Sequence, residues 1–322
     1  MPMVSMPSAA MAAAPKALCY CCNTILRPAG AKPTPRPRLS SIPSGRAASN
    51  AGLRASSGGS WVKGGRMPYL ERQGARVFYE RQGEGHPPLV FVHGFACSHD
   101  DWQQQVDVFR TRQCVVTCDL RGHGASSGEA AHCDIETYGA DVSALVQTLD
   151  LPPTILVGHS LGCRVVLQAY LNAPQRAAGL VLVDGSRIGT GDPLAAEQAI
   201  RQHIHTIGYT TMMERFFAGM FLEGSDAAVK DRIVRRALAL PEAIGAALFA
   251  RLARWDAQYL DTAFQRVAVP LLVIQSTYLN PQQVRVPLQP GATTPWIELI
   301  RRTVPTAHIE IVGGAGHFTM LD

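Results

Sequence analysis

Six short, mostly apolar segments constrain the fold of this chain more than any other feature. They are PLVFVHG (88–94), QCVVTCDL (113–120), PTILVGHS (153–160), GLVLVDG (179–185), PLLVIQS (270–276) and HIEIVGG (308–314). Runs that are apolar at successive positions, instead of alternating, are typical of parallel strands buried on both faces. Amphipathic helical stretches separate them; one begins at the capping residue Asp134 and runs to 150. The residues after Met67 add two strands joined at Gly74.

This alternation predicts an α/β fold with a doubly wound, mostly parallel sheet of about eight strands. The alternation of strands and helices is interrupted at residues 186–266, which show helical patterns and no strand pattern. We therefore expect a core of residues 67–185 and 267–322, with a helical cap of residues 186–266 inserted after the sixth strand. Aromatic and Met residues at 212–221 would either line the substrate pocket or form the cap's own core, and the pocket candidates among them are Met213, Phe217 and Phe221.

The charge of the chain is unevenly distributed. Residues 1–66 carry nine Lys and Arg and no acidic residue, so 21 basic and 25 acidic residues remain for 67–322. The net charge of +5 therefore describes a basic leader that is rich in Ala, Pro, Ser and Gly. We expect this leader to be disordered. It is interpreted as a translation artefact or an inert tail, with organelle targeting as the alternative.

Composition also excludes several classes of protein. No segment approaches the roughly 18 consecutive apolar residues of a membrane span, and the leader lacks the interleaved aromatic residues of a nucleic-acid site. The five cysteines of the body do not form paired C-x-x-C motifs, so neither a disulfide framework nor a metal site is predicted. We expect a cytoplasmic protein with no cofactor, no nucleic-acid partner and no membrane span.

The most informative motif is Gly158-His159-Ser160-Leu161-Gly162, which lies between a buried strand and an amphipathic helix. This G-x-S-x-G pattern turns the chain sharply, so glycine is needed where backbones approach closely. The turn presents the Ser160 hydroxyl at the edge of the sheet, next to a helix N-terminus that favours negative charge. Ser160 is therefore the candidate nucleophile. His159 is a candidate for the substrate pocket or for orienting loops.

A serine nucleophile needs a base within hydrogen-bond reach. His317 follows the last predicted strand through a loop of small residues, which suits the chain order Ser, acid, His. The tetrahedral intermediate also needs two backbone N–H donors. We expect them from Leu161, directly after the nucleophile, and from Phe95, in the loop after His93-Gly94.

These features together resemble the α/β-hydrolase fold family over residues 67–322. The resemblance implies a third catalytic residue, an Asp or Glu directly after PLLVIQS, but no carboxylate occurs from Pro270 to Glu298. Asp184, which ends the preceding strand, is the best candidate for the acid, because some members of the fold use that position. Asn280, a cap carboxylate (Asp256 or Asp261) and no acid at all remain alternatives.

The predicted function is a cofactor-free serine hydrolase that cleaves an ester, thioester or lactone with an apolar acyl group, of the carboxylesterase type (EC 3.1.1). A C–C bond hydrolase or a perhydrolase with the same triad is one alternative. A non-catalytic ligand-binding protein on the same scaffold is another, because the acid after PLLVIQS is missing. The family usually continues into a helix beyond the position of His317, and only five residues follow it here, so a truncated chain is one interpretation.

Overall fold

The fold is organised around a sheet whose middle strands are covered on both faces. The structure is a computed structural model that describes residues 68–280 and 284–322. Within those ranges the ten strands are β1 Tyr69–Arg72, β2 Ala75–Gln82, β3 Leu89–Val92, β4 Val115–Cys118, β5 Thr154–His159, β6 Ala177–Val183, β7 Leu271–Gln275, β8 Thr277–Leu279, β9 Arg285–Pro287 and β10 His308–Ile311. The predicted leader, residues 1–66, lies outside the described residues.

Eight of these strands form one sheet in the order β1-β2-β4-β3-β5-β6-β7-β10, as far as the described residues extend. β2 is antiparallel to β1 and to β4. The remaining neighbours are parallel. Every residue of β3, β4, β5 and β7 is buried, which explains their uninterrupted apolar sequences. The prediction of a mostly parallel sheet of about eight strands is confirmed.

Helices connect the parallel strands and cover the sheet. In the described part of the chain they are α1 Gln103–Phe109, α2 Ile135–Thr148, α3 Leu161–Asn172, α4 Pro193–Ile207, α5 Tyr209–Ala218, α6 Ala227–Leu238, α7 Glu242–Gln265 and α8 Pro295–Thr303. The Asp134 carboxylate caps α2 by accepting a hydrogen bond from the Thr137 N–H at 2.7 Å. No helix of the described ranges combines the length and the apolar character needed to cross a membrane.

Four helices, α4 to α7, lie between β6 and β7, in the segment where a cap is predicted. Two of them form ion pairs with residues outside the inserted segment. The Arg164 side chain of α3 pairs with Asp256 of α7 at 2.7 Å, and Arg236 of α6 pairs with Asp101 at 2.5 Å. The division of the chain at residues 186 and 267 into core and cap stays a prediction.

One element was not predicted. β8 and β9 form a separate antiparallel ribbon directly after β7. Strands of three residues are too short to show a periodic pattern in the sequence. The ribbon occupies the chain position where the family resemblance places the catalytic acid.

Candidate active site

Ser160 lies at the turn from β5 into α3. Its backbone is strained, with φ 54° and ψ −113°, in a region that non-glycine residues rarely adopt. A Cβ on Gly158 would collide with the carbonyl oxygen of Gly162, and a Cβ on Gly162 would lie 2.5 Å from the carbonyl oxygen of Val92. Both glycines are therefore required by the close approach of α3 to β5 and β3.

His317 reaches Ser160 from the loop after β10. Its Nε2 lies 2.9 Å from the Ser160 Oγ, although the two residues are 157 positions apart. Two contacts position this loop: the His317 N–H donates to the carbonyl of Met220 at 2.9 Å, and the His317 carbonyl accepts from His159 Nε2 at 2.9 Å. The structure thus brings together the predicted nucleophile and the predicted base.

Asp184 completes the arrangement on the other side of His317. Its Oδ2 lies 2.6 Å from His317 Nδ1, and its side chain is fully buried. The alternative residues have other partners: Asp256 pairs with Arg164, Asp261 pairs with Arg187 at 2.7 Å, and Asn280 accepts from the Val284 N–H at 2.9 Å. Of the candidates that the sequence left open, Asp184 is the one that contacts His317.

Six further hydrogen bonds converge on the Asp184 carboxylate. Oδ1 accepts from the Gln275 side chain (3.1 Å), the Ser276 N–H (2.9 Å), the Ser276 hydroxyl (3.0 Å) and the Thr277 N–H (2.8 Å). Oδ2 accepts from the Thr277 hydroxyl and from Arg285 Nη1, the latter at 3.4 Å. The sequence predicted none of these four donor residues, because no motif connects the β7–β9 segment to the end of β6.

The electrostatics of the site favour a charged acid beside a neutral base. Burial raises the pKa of Asp184, but the hydrogen bond and the charge of His317, the charge of Arg285 and the Thr277 hydroxyl outweigh it and lower this pKa to about 2. Burial, together with the positive charge of Arg285, lowers the pKa of His317 to about 4 against the opposing effect of Asp184. At neutral pH His317 Nδ1 therefore donates to Asp184, and Nε2 is free to accept the Ser160 proton.

The backbone N–H groups of Phe95 and Leu161 lie in the segments predicted to supply an oxyanion hole. Leu161 is the first residue of α3, so its N–H has no partner within the helix. Neither N–H donates a hydrogen bond within the described residues. The loop that carries Phe95 is held by His93, which contacts the Gly94 carbonyl at 2.7 Å and accepts from the Leu120 N–H at 3.0 Å.

Aromatic side chains from the inserted helices pack over this loop. The Phe95 ring lies 6.4 Å from Phe216 and 6.5 Å from Phe217, both on α5, and 5.3 Å from Phe249 of α7. Phe221 stacks on Phe318, the neighbour of His317, at 5.2 Å. The insertion thus contributes apolar groups beside the predicted oxyanion hole.

The remaining pocket candidates, Met213 and His159, are fully buried. The His159 ring donates a hydrogen bond to the His317 carbonyl and packs against the His317 and Phe318 rings. A role for either residue in binding substrate stays a prediction. Within residues 68–280 and 284–322, no cluster of His, Cys, Asp and Glu side chains could hold a metal ion.

Comparison with known proteins agrees with this architecture. The model of the alpha/beta hydrolase family matches residues 89–322, so the chain belongs to the alpha/beta hydrolase family. A hydrolase structure from Pseudomonas aeruginosa PA01 superposes with a TM-score of 0.64 at 24% identity, covering 79% of this chain and 92% of the other. That likeness shows the fold alone.

Two curated relatives show how the similarity is distributed along the chain. A 3-oxoadipate enol-lactonase of Acinetobacter baylyi is 29% identical over 209 residues, which is 64% of this chain and 76% of the lactonase. The dihydrolipoyllysine-residue acetyltransferase component of an acetoin cleaving system from Cupriavidus necator is 34% identical over 124 residues, or 38% of this chain. The match spans only 33% of that relative's length.

Proposed function

We propose that this protein is a serine hydrolase that cleaves a carboxylic ester, thioester or lactone through an acyl-enzyme on Ser160. The observation that carries the proposal is the continuous hydrogen-bonded series from Ser160 Oγ through His317 to Asp184, at 2.9 Å and 2.6 Å. A hydroxyl next to a neutral imidazole that is oriented by a buried carboxylate is the arrangement required for nucleophilic attack on a carbonyl.

In the acylation step the Ser160 oxygen attacks the carbonyl carbon of the substrate while its proton passes to His317 Nε2. The imidazolium that forms is stabilised by Asp184. Negative charge develops on the former carbonyl oxygen, and the N–H groups of Phe95 and Leu161 are the donors proposed to bind it. Collapse of the intermediate transfers the proton from His317 to the leaving alkoxide or thiolate.

Deacylation repeats these steps with water as the nucleophile. His317 removes a proton from the water, the water oxygen attacks the acyl carbon, and Ser160 recovers its proton as it leaves. The catalytic groups in this scheme are side chains and backbone N–H groups of the chain, and water is the second substrate. For a lactone the departing alcohol stays attached to the acyl group and leaves with the product acid.

The aromatic cluster around Phe95 supports the proposal that the protein recognises an apolar acyl group of its substrate. The rings of Phe216, Phe217 and Phe249 pack against the Phe95 ring. Burial of each CH₂ group against such surfaces contributes about 0.8 kcal/mol. Because the chain is similar to an enol-lactonase, cyclic esters should be tested as substrates together with open-chain esters.

The function is tested by hydrolysis of p-nitrophenyl esters with acyl chains of two to twelve carbons and of a small panel of lactones. Ser160→Ala should reduce turnover at least 10⁴-fold, because the nucleophile is absent. Ser143→Ala is the matched control, since that hydroxyl bonds carbonyls within α2 and α3 and should leave turnover within twofold. Equal activity in the Ser160→Ala protein would refute the proposal, and saturable binding without turnover would favour a binding protein.

A further inference from the structure

The β8–β9 ribbon places two side chains against the catalytic carboxylate. Thr277 is the first residue of β8, and Arg285 is the first residue of β9. Pairing of Leu279 with Arg285 sets the register of the ribbon, and Arg285 Nη1 donates to the Thr277 hydroxyl at 2.9 Å. Both side chains then contact Asp184 Oδ2, the same oxygen that faces His317.

Arg285 is largely withdrawn from solvent, with only 6% of its side chain exposed. Among the described residues it is the one Lys or Arg side chain within 4 Å of Asp184. A buried guanidinium is costly unless its charge is compensated. The Asp184 carboxylate therefore contacts two groups that can carry positive charge. Arg285 is permanently charged, whereas His317 becomes charged only during the reaction.

We propose that Arg285 is a positioning residue that, together with the Thr277 hydroxyl, holds the Asp184 carboxylate and offsets part of its charge at His317. This inference rests on the function proposed above. Without Arg285 the full charge of Asp184 would favour imidazolium before substrate arrives. With Arg285 in place His317 stays neutral, and so able to act as a base, at lower pH.

Several charged or titratable groups face His317, and Arg285 is the only one of them that differs between the variants compared below. They are Asp184 after β6, Arg285 on β9, His159 on β5 and Arg164 on α3, with Asp322 bonded to the adjacent Gly316 N–H. Burial has the largest effect on the pKa of His317, and the charge of Arg285 comes next in the same direction. Replacing Arg285 therefore removes this charge while Ser160, His317 and Asp184 all keep their own side chains.

The distance between Arg285 and His317 sets how far the Arg285 charge shifts the pKa of His317. Two successive contacts, 3.4 Å from Arg285 to Asp184 Oδ2 and 2.6 Å from Oδ2 to His317, join the guanidinium to the imidazole. At that separation inside a protein, one unit charge changes proton affinity by about tenfold to a hundredfold. Removal of the charge should shift the acid limb of the activity profile upward by about one to two pH units.

The experiment measures the rate at which diethyl p-nitrophenyl phosphate inactivates the full-length protein between pH 4 and pH 9. This reagent reports the ionisation of His317 in the free enzyme, independently of the ester substrate. Between pH 7 and pH 5 the wild-type rate should fall by less than about 1.5-fold, whereas the Arg285→Gln rate should fall about twofold to tenfold. Arg285→Lys keeps the charge and should follow wild type, as should the control Arg302→Gln on the exposed face of α8.

Two results would overturn the inference: an Arg285→Gln profile that superimposes on wild type, or an Arg285→Lys profile shifted as far as that of Arg285→Gln. If Arg285→Gln fails to fold, the protonation state of His317 can be measured in wild type from ¹⁵N spectra of the histidines. A cationic His317 at pH 5.5 would contradict the proposal. A wild-type protein that is not labelled at all refutes the serine hydrolase function itself, which separates the two failures.

Discussion

Replacement of Asp184 by Asn changes the carboxylate into an amide while preserving its shape. Four donors surround Oδ1, so the amide oxygen will occupy that site. The NH₂ group then takes the place of Oδ2, where it faces His317 Nδ1 and Arg285 Nη1. It must donate to Nδ1, which forces the imidazole proton onto Nε2 and removes the lone pair that accepts the Ser160 proton.

The expected loss follows from the wrong tautomer and from the missing anion. In the best-studied serine hydrolase triad the same change reduces kcat about 10⁴-fold, which corresponds to about 5.5 kcal/mol of transition-state stabilisation. Contact between the new NH₂ group and Arg285 adds a repulsion that the usual triad lacks. We therefore expect a loss of at least 10⁴-fold for Asp184→Asn.

The assay is stopped-flow release of p-nitrophenol during acylation at pH 7.5, with thermal unfolding as the check that the fold persists. Asp261→Asn is the control, because that carboxylate pairs with Arg187 and is 45% exposed; its acylation rate should stay within twofold of wild type. An Asp184→Asn rate within tenfold of wild type would show that another group orients His317.

Three further predictions concern stability. Arg164→Met should cost about 3–5 kcal/mol of unfolding free energy in urea because it leaves Asp256 buried without its partner; a cost below 1 kcal/mol would contradict this. Gly158→Ala should cost several kcal/mol because its Cβ meets backbone, whereas Gly191→Ala, with φ +76° and no atom within 4 Å, should cost about 1 kcal/mol. Burial lowers the pKa of His123 to about 4. The stability that neutral His123 contributes is therefore present above pH 6.5 and is lost as pH falls from 6.5 to 4. The unfolding free energy should depend less on pH in His123→Phe than in wild type.

The parts of the site that follow from steric rules could be predicted from the sequence. Gly158 and Gly162 are required by backbone contacts that any strand-to-helix turn of this kind creates, so the pentapeptide predicted where Ser160 would lie. His317 followed from its position after the last strand. Both predictions depended on local sequence and on chain order.

Asp184 could be named only as the best of several candidates, because the acid depends on which loop approaches His317 in three dimensions. Its anchoring residues were missed for the same reason. Thr277 and Arg285 are 93 and 101 positions from Asp184, and β8 and β9 are too short to show a strand pattern. The absence of a carboxylate after β7 departs from the pattern that the family resemblance implies. The ribbon at that position instead binds the carboxylate of Asp184, the residue that follows β6.

The most direct test of the account is mass spectrometry of the protein after treatment with a fluorophosphonate. One adduct per chain is expected, on the peptide that contains Gly158-His159-Ser160, and it should be absent from Ser160→Ala. Modification of a different residue, or an unmodified chain at neutral pH despite a folded protein, would contradict the claim that Ser160 is an activated nucleophile.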